Sequence, residues 1–163
     1  MQWLKRWWPA LLWALVISAF STGVFTSDNT SRFIIPILKW FFPHASQETL
    51  FLMHHLIRKT GHFTEYFILS LLILRGIRAG QQGAHLAWAL GAIAIVGCYA
   101  AFDEFHQSFV PGRTAAVSDV LLDTAGGIAA QVVVALVILL ADVRKKRRGD
   151  TLRPARSSAR PGD

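Results

Sequence analysis

The sequence predicts an all-α integral membrane protein, a bundle of four transmembrane helices with both termini in the cytoplasm and an interfacial amphipathic segment between helices one and two. Hydrophobic residues make up 53% of the 163 residues and the mean hydropathy is +0.38, outside the range of ordinary soluble proteins. Several apolar runs are about 20 residues long, the length that crosses a bilayer. Lys and Arg collect beside alternate ends of these runs, as in multi-pass membrane proteins.

The first predicted span is residues 7–25, an uncharged run that follows Lys5 and Arg6. A cleaved signal peptide is the alternative, because a basic start, an apolar run and small residues near Ala19 and Ser21 fit that pattern too. The topology predicted for the rest of the chain is the same in both cases.

Residues 26–58 form the predicted interfacial segment. Pro36 and Pro43 interrupt its apolar part, which is therefore too short and too broken to cross a membrane. Its Trp and Phe residues favour the membrane–water interface. Ser46 has the character of a helix N-cap, so we expect a helix that starts after it and continues into the second span.

Spans two, three and four are predicted at residues 61–77, 85–102 and 119–140. A basic, glycine-rich turn separates spans two and three, and a turn at Pro111 and Gly112 separates spans three and four. With the amino terminus inside, twelve Lys and Arg residues lie on the inner side and five on the outer side. This asymmetry predicts that both termini are cytoplasmic.

The chain is predicted to divide into a membrane domain, residues 1–141, and a basic tail, residues 142–163, for which we expect disorder. Eight of the seventeen Lys and Arg residues lie from Arg144 onward. A basic segment beside a membrane is attracted to anionic lipid, which is therefore its expected partner. Polybasic tails also bind nucleic acid, but the basic residues do not cover a soluble face, so no nucleic-acid partner is expected.

Polar residues of three predicted spans meet at the outer membrane level. Span two enters from outside, and its polar residues, spaced by three, sweep an arc of about 120° on one side of the helix. Span three ends at the same level and span four begins there, so both bring acidic residues to it. The predicted site residues are Lys59, His62, Glu65, Asp103, Glu104, Gln107, Arg113, Asp119 and Asp123.

Such residues are costly in a membrane. A charge at the centre of a spanning helix costs about 2.5–3.5 kcal/mol, so it normally faces a partner or a water-filled cavity. The site has more carboxylates than cations, which requires protonation, a metal or a cationic ligand. The alternative is a structural network that locks the helices together. Outside the site, His54 and His55 are expected at the interface, and His106 as a neighbour.

Two sequence blocks combine these polar residues in a fixed order. The first, "KTGHFTEYFILSLLIL", contains K-x-x-H-F-x-x-Y, and the second, "DEFHQSFVPGRTAAVSDVLLDTAGG", contains D-E-x-x-Q-x-F-x-P-G-R. In order and spacing they resemble the VanZ-like family of small bacterial membrane proteins. The resemblance covers residues 59–131 and implies a multi-pass protein of the bacterial cytoplasmic membrane. Asp123 departs from it, since the family pattern D-x-x-x-N-x-x-G has Asn there.

The family takes its name from an accessory protein associated with reduced susceptibility to teicoplanin. The resemblance therefore implies a cell-envelope protein of unestablished biochemical activity that contributes to glycopeptide resistance. It would do so by binding a glycopeptide or lipid-linked ligand at the outer leaflet, or by an accessory action.

The alternative is a membrane enzyme acting on a lipid-linked envelope substrate that bears a phosphate or acyl group. A divalent cation such as Mg²⁺ or Mn²⁺, held by carboxylates and an imidazole, would polarise the substrate. His62, Glu65 or Asp103 would act as general base. No recognised metal-binding spacing occurs in the sequence, and a transporter has little support because no pair of broken helices is repeated.

Overall fold

The computed structural model describes residues 2–22, 26–83, 85–110 and 116–151, with side chains as far as residue 147. These residues form five α-helices and no strand, which confirms the predicted all-α class. The helices are α1 (Gln2–Phe20), α2 (Ser27–Phe41), α3 (Gln47–Arg78), α4 (Leu86–Gln107) and α5 (Val117–Thr151).

Helix α1 begins and ends earlier than the first predicted span, which covered residues 7–25. It ends at Phe20, and Ser21 and Thr22 form a turn. The Thr22 hydroxyl donates to the carbonyl of Ala19 at 2.7 Å. Hydroxyl side chains that bond nearby backbone groups compete with the helix, which accounts for the earlier end.

Most of the segment before Pro43, which was predicted to be broken and interfacial, forms the continuous helix α2. The helix starts after Thr26, whose side chain accepts a bond from the backbone N–H of Asn29, and it continues through Pro36 to Phe41. The expectation that Pro36 would interrupt the segment was therefore wrong. Large apolar side chains remain exposed on α2, including Trp40 at 77%.

Helix α3 begins where its N-cap was predicted. The Ser46 hydroxyl accepts a bond of 3.2 Å from the backbone N–H of Thr49, which satisfies one of the free donors of the first turn. The helix runs 32 residues without interruption. It ends at Arg78; the C-cap residue Ala79 adopts a left-handed conformation and is followed by Gly80 with φ of 89°.

Helix α3 is the centre of the bundle and contacts each of the other four helices. Close approach to α5 depends on glycine, since a Cβ atom at Gly126 would collide with the backbone carbonyl oxygen of Phe63. At Gly127 a Cβ would lie 2.7 Å from Val96 of α4. The core residues are Ala10, Ile17, Tyr66, Leu69, Ile73, Leu74, Ala92, Val96 and Ala100.

By length and composition, two of the described helices could cross a membrane, Leu86–Gln107 and Val117–Arg147. Helices α1 and α3 fall short of the same apolarity because α1 includes Lys5 and Arg6 and α3 carries charged residues along its length. Four membrane-spanning helices were predicted, and two of the described helices meet the criteria of length and composition.

Helix α5 extends beyond the predicted membrane domain. It continues past residue 141 to Thr151, so residues 142–151 of the predicted disordered tail are helical. Residues 141–148 contain no glycine or proline, and basic residues near a helix C-terminus interact favourably with its dipole. Residues 152–163 lie outside the described part of the chain.

Candidate functional site

The carboxylate of Asp103 is a buried acidic group of the predicted site that accepts two side-chain hydrogen bonds. It is 3% exposed, and its Oδ2 accepts bonds from the Ser21 hydroxyl at 2.6 Å and from the Gln107 amide at 2.7 Å. The amide also donates to the Ser21 hydroxyl at 3.1 Å. Asp103 and Gln107 are four residues apart on α4, so helical periodicity alone brings them together.

Ser21 belongs to this cluster although sequence reasoning considered it only as part of a signal-peptide pattern. It stands directly after the last residue of α1 and is 2% exposed. Its hydroxyl links the end of α1 to the end of α4. A hydroxyl residue near the C-terminal end of the first apolar run was the available signal, but its partner lies 82 residues away.

Asp123 of α5 lies opposite His62 of α3. Asp123 is 3% exposed, and its Oδ1 is 3.7 Å from Nδ1 of His62. The position that departs from the family pattern thus places a carboxylate beside an imidazole. Within the described chain, Asp123 Oδ1 accepts no hydrogen bond, so the contact is an ion pair only when the imidazole is protonated.

Tyr66 lies one turn of α3 beyond His62 and was not among the predicted site residues. It is completely buried, and its hydroxyl has no hydrogen-bond partner among the described residues. Its ring lies 6.1 Å from that of Tyr99, whose hydroxyl donates to the carbonyl of Ala14 at 2.6 Å. The Tyr66 hydroxyl is therefore a buried polar group with unused hydrogen-bonding capacity.

Lys59 of α3 and Asp119 of α5 form a partly exposed pair that connects these two helices. Their Nζ and Oδ1 atoms are 3.7 Å apart, and the Ser118 hydroxyl donates to the same Oδ1 at 3.3 Å. Partly exposed pairs of this kind contribute about 0–1 kcal/mol. This pair therefore contributes little to the stability of the folded protein.

Glu104 connects the end of α4 to the start of α5. It is 7% exposed, and its Oε1 accepts a bond of 2.5 Å from the backbone N–H of Ala116. Residues 111–115, which include the predicted site residue Arg113 and the Pro111–Gly112 turn, lie outside the described residues.

Glu65 lines a cavity of about 240 Å³ between the end of α1, α2 and α3. The cavity touches both polar clusters, because Ser21 bonds Asp103 and His62 pairs with Asp123. Its lining combines charged, hydroxyl and apolar groups: Phe20, Ser21, Thr30, Ile34, Ile57, Arg58, Gly61, His62 and Glu65. Arg58, expected only as an outer-side charge, is thus part of the site.

The His54 side chain is buried rather than interfacial as predicted. It is 2% exposed, and its Nε2 lies 3.1 Å from the Thr30 hydroxyl, which also accepts a bond of 3.2 Å from Arg58. Helix α2 covers this part of α3, which explains the burial. Burial, followed by the charges of Arg58 and His55, holds the pKa of the His54 imidazole below its ordinary value.

The structure thus brings the described site residues together in neighbouring groups, with Asp103 and Gln107, His62 and Asp123, and Lys59 and Asp119 as pairs. Across the described ranges, no three His, Cys, Asp or Glu side chains are arranged to hold a metal ion. The described residues therefore give no support to a preformed Mg²⁺ or Mn²⁺ site of the kind that the enzyme hypothesis requires.

The comparison with known protein families agrees with the resemblance seen in the two sequence blocks. The VanZ/LLP1 family model matches residues 7–139 and so includes part of α1, all of α2 to α4 and most of α5. No curated protein and no solved structure matches the chain. The match extends over well more than half of the sequence. The chain belongs to the VanZ/LLP1 family.

Proposed function

We propose that the protein is a four-span protein of the bacterial cytoplasmic membrane, with both termini inside and the candidate site facing outward. Helices α1 and α3 then join α4 and α5 in the bilayer. Large apolar residues of α1, among them Leu11, Leu12 and Leu15, are about half to two-thirds exposed, and lipid would cover them. In the middle of α3, Arg58 and Glu65 line the cavity and Lys59 pairs with Asp119 of α5, as charges in or near a membrane normally do.

Cysteine labelling tests this topology. In a Cys98→Ala background, single cysteines replace the exposed residues Glu48, Gln82 and Asp142, and Ser108 serves as an outside control. We expect a membrane-impermeant maleimide to label positions 48 and 108 in intact cells, and positions 82 and 142 only after permeabilisation. If α4 and α5 alone cross the membrane, position 48 is also protected, and the four-span proposal is wrong.

The function that this geometry supports best is binding of an amphipathic envelope ligand at the outer leaflet. The observation that supports this proposal most directly is the cavity beside Asp103. Its walls combine polar and apolar side chains, namely Arg58, His62 and Glu65 with Phe20, Ile34 and Ile57. A ligand with a charged head and an acyl chain matches both kinds of wall. Glu65 would take an amine and Arg58 an anionic group of that head.

Glycopeptides of the teicoplanin type have this chemistry, since they join an acyl chain to a charged peptide core. We infer that capture of such a ligand, away from the cell-wall precursors that it targets, is how the protein contributes to resistance. Lipid-linked wall precursors share the same features and are the other ligand of this class. The metal-assisted enzyme has no support from the donor set of the described residues.

Direct binding tests the proposal. The purified full chain in nanodiscs is titrated with teicoplanin and with the same glycopeptide core lacking the acyl chain. We expect the acylated compound to bind more tightly, and Glu65→Gln to weaken its binding by about tenfold because one charge-assisted contact is lost. Glu48→Gln, which changes an exposed acid outside the cavity, is the matched control.

Strains carrying the wild-type gene, a deletion and Asp103→Asn then separate binding from catalysis. Reduced resistance in the deletion and the variant, with unchanged envelope lipids and wall precursors, supports binding. A precursor that accumulates in both altered strains supports catalysis instead. Equal binding of both glycopeptide forms by wild type and Glu65→Gln contradicts the proposed site.

A further inference from the structure

A second cavity, of about 290 Å³, lies at the opposite end of the bundle from the candidate site. Helices α3, α4 and α5 form it with largely apolar walls, which comprise Leu74, Leu86, Ala89, Val134, Ala135 and Ile138. Arg78 and His85 also line it, at the last residue of α3 and immediately before α4. The cavity therefore combines an apolar body with a cationic end.

Arg78 has its charge available for an anion. Its Nε donates to the backbone carbonyl of Gln81 at 3.2 Å, which holds the side chain in place. No carboxylate of the described residues forms an ion pair with Arg78. A held guanidinium without an acidic partner is suited to bind a phosphate, because its N–H groups match two phosphate oxygens.

The N-terminus of α4 adds a second attraction for an anion at this end. His85 occupies the N-cap position, but its side chain makes no capping hydrogen bond. The first-turn N–H groups of a helix carry partial positive charge and commonly bind phosphate. Leu86 and Ala89 of this first turn line the cavity, so it borders these donors.

The end of the cavity away from Arg78 and His85 is lined by a neutral amide instead of a cation. Gln131, 6% exposed, lines it, and its Nε2 donates to the Ser70 hydroxyl at 2.7 Å and to the Ser70 carbonyl at 3.3 Å. Because both hydrogens of the amide are bonded within the protein, this end does not attract an anion. The two ends thus select a ligand that is anionic at one end and apolar along its length.

We propose that this inner cavity binds an anionic membrane phospholipid, with its phosphate at Arg78 and the first turn of α4 and part of one acyl chain along the apolar walls. The assignment of the cavity to the inner leaflet rests on the proposed four-span topology. The volume is at the lower end of the range of about 300–1,000 Å³ for ligand pockets, so part of the lipid remains in the bilayer. The Trp88 ring, 3.9 Å from that of His85, suits the interface at the same level.

Native mass spectrometry of the full chain in detergent tests this site, with phosphatidylglycerol and phosphatidylcholine of the same acyl chains as probes. We expect wild type to retain phosphatidylglycerol preferentially. Arg78→Gln should lower this preference about fivefold, because one hydrogen-bonding cation that lines the cavity is lost. Ala135→Leu, which fills the cavity without changing charge, should lower the amount of retained lipid by a similar factor.

Matched controls distinguish binding in the cavity from nonspecific effects of lost charge or added bulk. Arg75→Gln removes the same charge from the same helix end, where Arg75 bonds the Arg6 carbonyl and does not line the cavity. Ala125→Leu adds the same bulk on the exposed face of α5. Both should bind as wild type does.

Three results would overturn the proposal: no lipid preference in wild type, an equal loss in Arg75→Gln and Arg78→Gln, or retained binding in Ala135→Leu. Inorganic phosphate that binds wild type as strongly as the lipid would assign the site to a soluble anion instead. Asp103→Asn should leave the lipid preference unchanged, so failure of the outer ligand site and failure of this one are distinguished.

Discussion

The carboxylate of Asp103, near the end of α4, accepts a 2.6 Å hydrogen bond from the hydroxyl of Ser21, which directly follows α1. Both residues are nearly completely buried. The bond joins the C-terminal ends of two helices that are far apart in the sequence, and the Gln107 amide donates to both Ser21 and Asp103. The arrangement fixes Ser21 in the wall of the candidate-site cavity.

We expect Ser21 and Asp103 to be energetically coupled. A buried hydrogen bond to a charged group contributes about 1.5–3 kcal/mol, so Ser21→Ala and Asp103→Ala, which each remove the bond, should each destabilise the protein. The double variant should lose less than the sum, with a coupling free energy of about 1–2 kcal/mol in a double-mutant cycle. Unfolding in mixed detergent provides the measurement.

Ser108→Ala is the control for this cycle, because the Ser108 hydroxyl is exposed and, within the described residues, bonds only the nearby carbonyl of Phe105. It should change stability little and show no coupling to Asp103. Strictly additive losses for Ser21 and Asp103 would contradict the bond.

Gly126→Ala should destabilise the bundle by about 1–3 kcal/mol, the usual cost of overpacking a tight core. The added Cβ would meet the backbone carbonyl of Phe63, which cannot rotate away as a side chain does. Gly61→Ala is the matched control on α3, since a Cβ there meets nothing within 4 Å. It should be neutral or stabilising by about 1 kcal/mol, because alanine is the better helix former.

Acidification should loosen the contact between α2 and α3. The pKa of the His54 imidazole lies below its ordinary value of 6.5 because the group is buried beside Arg58 and His55. Protonation is thus less favourable in the folded protein than in the unfolded one. The contribution of neutral His54 is complete above pH 6.5 and is lost as the pH falls through the lowered folded pKa.

Fluorescence quenching between labels on α2 and α3 measures this contact across the pH range. His54→Gln keeps a group that bonds Thr30 and should remove the pH dependence. His55→Gln changes an exposed imidazole on the next residue and should retain most of it. A pH dependence that survives in His54→Gln would assign it to another group.

Tyr66→Phe should leave stability within about 0.5 kcal/mol of wild type, since removing a polar group without a partner does not leave another unsatisfied. The hydroxyl has no hydrogen-bond partner in the described chain. If it serves the outer site, the variant should weaken teicoplanin binding while its melting temperature is unchanged. A large loss of stability would instead show that the hydroxyl is bonded in the folded protein.

Local chemistry was sufficient for some of the fold. The start of α3 follows from Ser46 as a cap, and the apolar composition of α4 and α5 is enough to identify them as candidate spans. The end of α1 and the helical state of α2 were not predicted correctly. A turn at Ser21 competes with a long apolar pattern, and Pro36 was weighed as a helix breaker although the helix continues through it.

The residues of the candidate site also fall into those that local spacing predicted and those that it did not. Helical spacing alone placed Asp103 near Gln107, and the three polar residues of α3 on one side of that helix. Ser21, Arg58 and Tyr66 were missed as site residues because their importance depends on which helix covers them. His54 was placed at the interface for the same reason, since its burial comes from α2.

The sequence by itself determined the helical class, the apolar character of α4 and α5, the concentration of acidic groups near two helix ends and the family. These properties depend on neighbours a few residues apart, where periodicity and capping operate. Only the tertiary structure decided that Ser21 binds Asp103, that Asp123 faces His62, and that two cavities lie at opposite ends of the bundle. Those contacts depend on how closely packed helices approach one another, which steric contacts such as that of Gly126 with Phe63 set.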